Sequence, residues 1–291
     1  MSKVLQIESE LSTSHIKTEG YHDLTFRNGY WRHTIQRIIA ALDFQISNSL
    51  QKMLHIEADV IIMENFPFEK VYTESTIIWG YYNETRDVGS LISIPSLEMA
   101  KWLKKKIMNT WEENPGLTDM EILRKISSDN PTQISYWPSG LSIAPNDFSK
   151  VGNEFLENVK SREIDLIGIV DVAVFGMWLC GIDPQNHRGV THHFSRTFIE
   201  DGDSAVDPSK LGLNIAANEE LCIELNGTNL PLLAVHNHSK HLNYFGPRRN
   251  SLMLKAYRKY LKNKSSHKAF SMLVFNILVF RKLKKMIKNV I

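Results

Sequence analysis

The chain has 291 residues, 43% of them apolar and 23% charged, which excludes a disordered polymer and leaves room for one large α/β domain or two ordinary ones. Its net charge of +2 conceals an uneven distribution: residues 248–291 hold 13 Lys and Arg and no acid, so the rest of the chain carries 21 basic against 32 acidic residues, a net of −11. Two distant cysteines (Cys180 and Cys222), with 15 Gly and 10 Pro that follow no period, exclude a disulfide framework, a thiolate zinc site and a low-complexity chain.

The first residues, MSKVLQIESELSTS, contain no apolar core of leader length, so no export is expected. The cysteine usage fits a reducing compartment, and the expected location is cytoplasmic. In residues 31–50, Trp31, Ile35, Ile38, Ile39, Leu42, Ile46 and Leu50 recur on one helical face. MLHI then reads as a short strand running into Glu57-Ala58-Asp59, and VGSLISI (88–94) as another. Leu97, Ala100, Leu103, Ile107 and Trp111 predict a helix that stops at Asn114-Pro115-Gly116. Thr118 and Glu121 have the spacing of a capping box, which places a helix from Asp119 to just before Asp129-Asn130-Pro131.

Residues 146–160 carry a third amphipathic pattern, on Phe148, Val151, Phe155, Leu156 and Val159. IDLIGIV (164–170) predicts a buried strand ending at Asp171, with a helical stretch VAVFGMWL behind it. Residues 185–230 read as loops with short strands, and PLLAV (231–235) as a last strand that ends in His236-Asn237-His238-Ser239-Lys240. Strands alternating with helices imply an α/β fold, in which chemistry gathers at the carboxyl ends of strands. Three polar clusters sit at such ends: Glu57 with Asp59, Asp171, and His236 with His238 and Lys240.

Two carboxylates at i and i+2 leaving a strand suit a hard divalent cation, Mg²⁺ or Mn²⁺, and imidazoles at the same spacing favour Mn²⁺. Lys240 would meet a phosphate as a point charge. Each cluster also has a plain alternative. An isolated Glu-x-Asp is commonly surface acid, a His-x-His is commonly a solvated loop in a chain with 11 His, and Asp171 would cap the following helix. His187, His192 and His193 form a weaker group in a loop, Asp87-Val88-Gly89-Ser90 fits a tight turn, and Asp119 is accounted for by its capping box.

In order along the chain, LHIEADVIIMENFPFE, RDVGSLISI, TDM, the run Asp-x-Ala-x-x-Gly-x-x-Leu-x-Gly-x-Asp-Pro at 171–184, and VHNHSKHL resemble bacterial glycosyltransferase-like proteins of surface polysaccharide assembly. The resemblance spans residues 28–245. It implies a three-layer α/β/α fold of the A-type nucleotide-sugar class, a divalent cation and a nucleoside-diphosphate sugar donor. The family's acidic metal triplet falls on Glu57-Ala58-Asp59, with Glu in place of the first Asp. The resemblance further implies His236 or His238 as a metal histidine, Lys240 as a phosphate contact, Gly89 and Ser90 as lining of the sugar pocket, and Asp171 as the acid of the helix-leading motif. Residues 1–247 would then be the catalytic domain and residues 248–291 a basic amphipathic tail. A metal-dependent hydrolase and a catalytically inactive, membrane-associated assembly protein are the alternative functions.

The longest apolar run, Ala269 to Phe280, is too short for a bilayer crossing, which needs about 20 helical residues. Phe270, Leu273, Val274, Ile277, Leu278 and Phe280 followed by RKLKKMIK suit an interfacial helix on an anionic membrane, through residues 268–291. That apolar content is unlike a solvated nucleic-acid arm, so no nucleic-acid partner is expected. The expected acceptor is a glycan or a lipid-linked glycan.

Overall fold

The computed structural model describes residues 30–139, 153–171, 212–215, 221–225 and 228–236. It is a mixed α/β structure with two open sheets, held in two compact units.

The first unit opens with α1 (Tyr30–Ser47), close to the helix its apolar spacing predicts. Ile35, Ile38, Ile39 and Leu42 are fully buried along one stripe, and each such side chain contributes about 1.5–3 kcal/mol on leaving water. Strand β1 (Met53–Ile56) follows, and after the crossing to the second unit and back come the one-turn helix α2 (Phe68–Val71), β3 (Ile77–Asn83) and β4 (Arg86–Ile94). A two-residue turn joins β3 to β4, where the Asn83 side chain accepts from the backbone N–H of Thr85 at 3.0 Å. Helix α3 (Leu97–Glu113) starts on Ser96, whose hydroxyl accepts from the Met99 N–H. Helix α4 (Asp119–Asp129) starts on the full Thr118–Glu121 capping box that the sequence predicts. Strand β5 (Ile134–Tyr136) completes a four-stranded sheet in the order β1-β4-β3-β5, antiparallel except for β3 with β5.

Both central strands are buried on nearly every residue, so IIWGYYN and RDVGSLISI are continuous rather than alternating. Gly89 and Ser90 therefore lie inside β4, in the strand rather than in a turn. A Cβ on Gly89 would stand 2.9 Å from Leu123 of α4 and 3.2 Å from Ile38 of α1, so glycine lets both helices close onto the sheet. Asp87, next to them, is fully buried. Its carboxylate accepts from Trp79 Nε1 at 2.9 Å and Ser127 Oγ at 2.6 Å, with Tyr136 Oη at 3.3 Å and the Arg124 guanidinium at 3.7 Å. One polar knot thus ties β3, β4, α4 and β5 together.

The second unit contains β2 (Val60–Ile62), α5 (Asn153–Lys160), β6 (Ile169–Asp171), β7 (Gly212–Ile215), β8 (Leu221–Leu225) and β9 (Thr228–His236). Strand β9 is its axis: it pairs antiparallel with β2 and β8 and parallel with β6, while β7 adds to β8. The strand expected over 164–170 is shorter than its apolar run. Ile164 bonds to the Tyr136 carbonyl, Ile167 is 81% exposed, and the strand begins only at Ile169. Gly168 is the break, at φ 142°; a Cβ there would come within 2.7 Å of both the Pro231 carbonyl and Leu233. The last strand is longer than PLLAV, running from Thr228 to His236. No described helix is long and apolar enough to cross a membrane.

Candidate metal centre

The end of β9 gathers the polar groups of the second unit. His236 is its last residue and pairs with Val60, so the residue that leads into β2, Asp59, is brought beside it. His236 Nε2 stands 3.3 Å from Asp59 Oδ1, with side-chain exposures of 6% and 17%. Asp171 ends β6 and pairs in register with Val235. Because β6 and β9 are parallel, Asp171 and His236 terminate neighbouring strands at the same end of the sheet. Both are buried, at 4% exposure. The local reason is composition: LLAV and IV are buried apolar strands, and each hands over to a polar residue where the ladder stops.

Glu57 precedes Asp59 by two residues. The Asp59–His236 pair is a carboxylate and an imidazole, borderline in softness, which suits Mn²⁺ better than Mg²⁺. Two donors about 2.1 Å from a shared cation, at angles between octahedral and tetrahedral, stand about 3.0–3.4 Å apart. The Asp59–His236 spacing falls in that interval, so this pair fits a divalent cation as it stands.

In the first unit Glu57 is anchored twice. Its backbone N–H donates to the Ser90 carbonyl at 2.9 Å, and its Oε1 accepts from Arg37 Nη2 of α1 at 2.6 Å. Arg37 also acts on Asp119, the first residue of α4, which is buried against the Thr34 hydroxyl. Burial lifts the Asp119 carboxyl above the usual carboxylate range, and Arg37 and Thr34 oppose the rise. His55, two residues before Glu57, is brought down to about 4 by burial first and by Arg37 second, so it is neutral at ordinary pH.

Of the sequence-predicted site residues, the structure thus brings together Asp59 and His236, and sets Asp171 on the adjoining strand end. Gly89 and Ser90 belong to the core of the first unit. Ser90 is fully buried and offers its carbonyl to the Glu57 N–H. His238, Lys240, the histidines at 187, 192 and 193, the helical stretch after Asp171 and the tail lie outside the described residues. Arg37, Thr34 and the second role of Asp119 escaped the sequence reading. An arginine beside an apolar helical stripe carries no signal of its own, and its partner Glu57 is 20 positions away. Compared with known protein families, curated proteins and solved structures, the chain has no match.

Proposed function

We propose that the chain is a metal-dependent glycosyltransferase of the A-type nucleotide-sugar fold, moving a sugar from a nucleoside diphosphate to a glycan or lipid-linked acceptor. The observation that carries this reading is the Asp59–His236 pair, 3.3 Å apart where β9 ends and β2 begins, with Glu57 two residues before Asp59 in the sequence. Mn²⁺, or Mg²⁺, held by Glu57, Asp59 and His236 would supply positive charge where the departing diphosphate becomes more negative. Asp171 is the residue we assign to the sugar or to the acceptor hydroxyl, as an acceptor of its hydrogen bond or proton. Its place supports this: it ends the parallel strand beside β9, at the same end of the sheet as His236. His238 and Lys240 follow His236 within four residues and are assigned to the metal and the phosphate on the sequence pattern alone.

The site is tested by thermal melts of the full chain against nucleotide sugars, with and without Mn²⁺. The reading expects stabilisation by one nucleotide class that requires the cation. Stabilisation that ignores Mn²⁺, or none with any nucleotide, contradicts it. Turnover of the donor with water alone, at the rate seen with acceptor, would instead identify the hydrolase.

A further inference from the structure

Late in its course the chain returns to the first unit for four residues. Ser161–Ile164 belongs to that unit, while Lys160 before it and Asp165 after it belong to the second. The four residues run along the outer edge of β5, where Glu163 forms a single parallel bridge with Tyr136. Two backbone hydrogen bonds hold them there: the Tyr136 N–H donates to the Arg162 carbonyl at 2.9 Å, and the Ile164 N–H to the Tyr136 carbonyl at 3.0 Å. The rest of the hold comes from one side chain. Arg162 Nε and Nη2 both donate to the Ile134 carbonyl at 3.1 Å, and the guanidinium carbon stands 4.5 Å from the centre of the Tyr136 ring. A planar donor fork stacked on an aromatic face is a geometry that arginine alone supplies.

Tyr136 is also a member of the buried polar knot. Its Oη accepts from Arg124 Nη1 at 2.9 Å and lies 3.3 Å from the Asp87 carboxylate, which also accepts from Trp79 Nε1. Tyr136 and Asp87 are both fully buried. We propose that Ser161–Ile164 is a strap that opens in one piece while the sheet stays folded, that Arg162 is its pin, and that its opening admits water to Asp87. Two backbone bonds and one side chain are a small hold beside the paired length of β3 and β4, and segments held in this way open at a lower free energy than the whole domain. Exposed residues, Ser161 and Asp165, flank the buried Ile164 and the Arg162 contact on either side. Opening uncovers the Tyr136 ring and frees the edge N–H and C=O of β5, so the acid of the knot gains a route to solvent.

The test is hydrogen exchange of the full chain, read by NMR at low urea concentrations below the unfolding range. In the native chain the Tyr136 and Ile164 amides should share one protection factor, at least about ten-fold below that of the β3–β4 amides, and it should hardly change with urea, because a strap exposes little surface. The Trp79 indole N–H, bonded to Asp87, should follow the strap in both respects. Arg162→Ala removes the fork and the stack, and strap protection should fall about 30-fold. Arg162→Lys keeps a cation without the fork and should lower it about five-fold. Strap amides with the protection and urea slope of the β3–β4 amides would show that the segment opens only when the sheet unfolds, which overturns the strap. An indole that behaves like the β3–β4 amides overturns the route to Asp87. Unchanged strap protection in a folded Arg162→Ala chain overturns the pin, and if that variant does not fold, unchanged protection in Arg162→Lys overturns it in the same way.

Discussion

Asp59 and His236 meet with little of either side chain exposed, so few water molecules compete for their facing atoms. A cation held there would lose a full ligand in Asp59→Ala, and we expect Mn²⁺ affinity to fall by at least about 100-fold. Asp59 lies in the turn before β2, so the variant should melt within a few degrees of the native chain. A well-folded Asp59→Ala chain with native Mn²⁺ affinity would return Asp59 to the ordinary surface acids. His236→Ala should weaken Mn²⁺ binding by a similar factor, and His236→Gln should recover only part, since an amide oxygen is a poorer partner for Mn²⁺ than imidazole. Equal affinity for all three chains would show that the pair is only a local contact. At this scale the positions of the candidate residues are legible in sequence: Asp171 and His236 stand where apolar strand runs stop, and Asp59 stands directly before one begins. Arg37 is not, because its role depends on how α1 lies against β1, which no local pattern encodes.

The strands and helices show the same division. Helices α1 and α3 follow from 3.6-residue spacing, and α4 from the Thr118–Glu121 capping box that is read in the sequence. Strand β3 does not, because a strand buried on both faces loses the period-2 signal. Gly168 was equally silent, since its positive φ and the 2.7 Å approach of β9 exist only in three dimensions. Gly168→Ala should cost about 1–3 kcal/mol from backbone conformation alone, with the clash against Leu233 added. Chemical denaturation will measure this, and a loss below about 0.5 kcal/mol would show that the β6–β9 pairing tolerates a side chain there.

Asp87 provides a pH test of the first sheet. Burial raises its carboxyl above the ordinary range, against Arg124, Ser127 and Trp79, which favour the charged form. The unfolded chain therefore ionises first as pH rises. The stability contributed by protonated Asp87 is complete below the unfolded value and is lost as pH climbs through the raised native one. Asp87→Asn keeps an acceptor for Trp79 and Ser127 and cannot ionise. Its stability relative to the native chain should improve between about pH 4 and about pH 7, as urea unfolding at the two values would show. A constant difference would mean that Asp87 ionises alike in both states. Asp87→Ala leaves the Trp79 and Ser127 donors buried and should cost about 1–3 kcal/mol for each.

For the whole molecule, the acidic body joined to a basic C-terminal segment is the sequence feature behind the expected attachment to an anionic membrane surface. That placement would suit a lipid-linked acceptor. Residues 281–288 hold five Lys and Arg, each contributing about 1 kcal/mol near an anionic surface. The full chain should sediment with phosphatidylglycerol vesicles, release as salt rises, and stay soluble once residues 268–291 are deleted. Deletion that unfolds the body would show that the segment belongs to the core. The central claim, however, is the coupling of a cation to a nucleotide at the ends of β9 and β6. Calorimetry of the full chain with nucleoside diphosphates, with and without Mn²⁺, tests it most directly. The account predicts binding of one nucleotide class that appears only with Mn²⁺ and vanishes in Asp59→Ala; nucleotide binding that is indifferent to Mn²⁺, or intact in that variant, would contradict it.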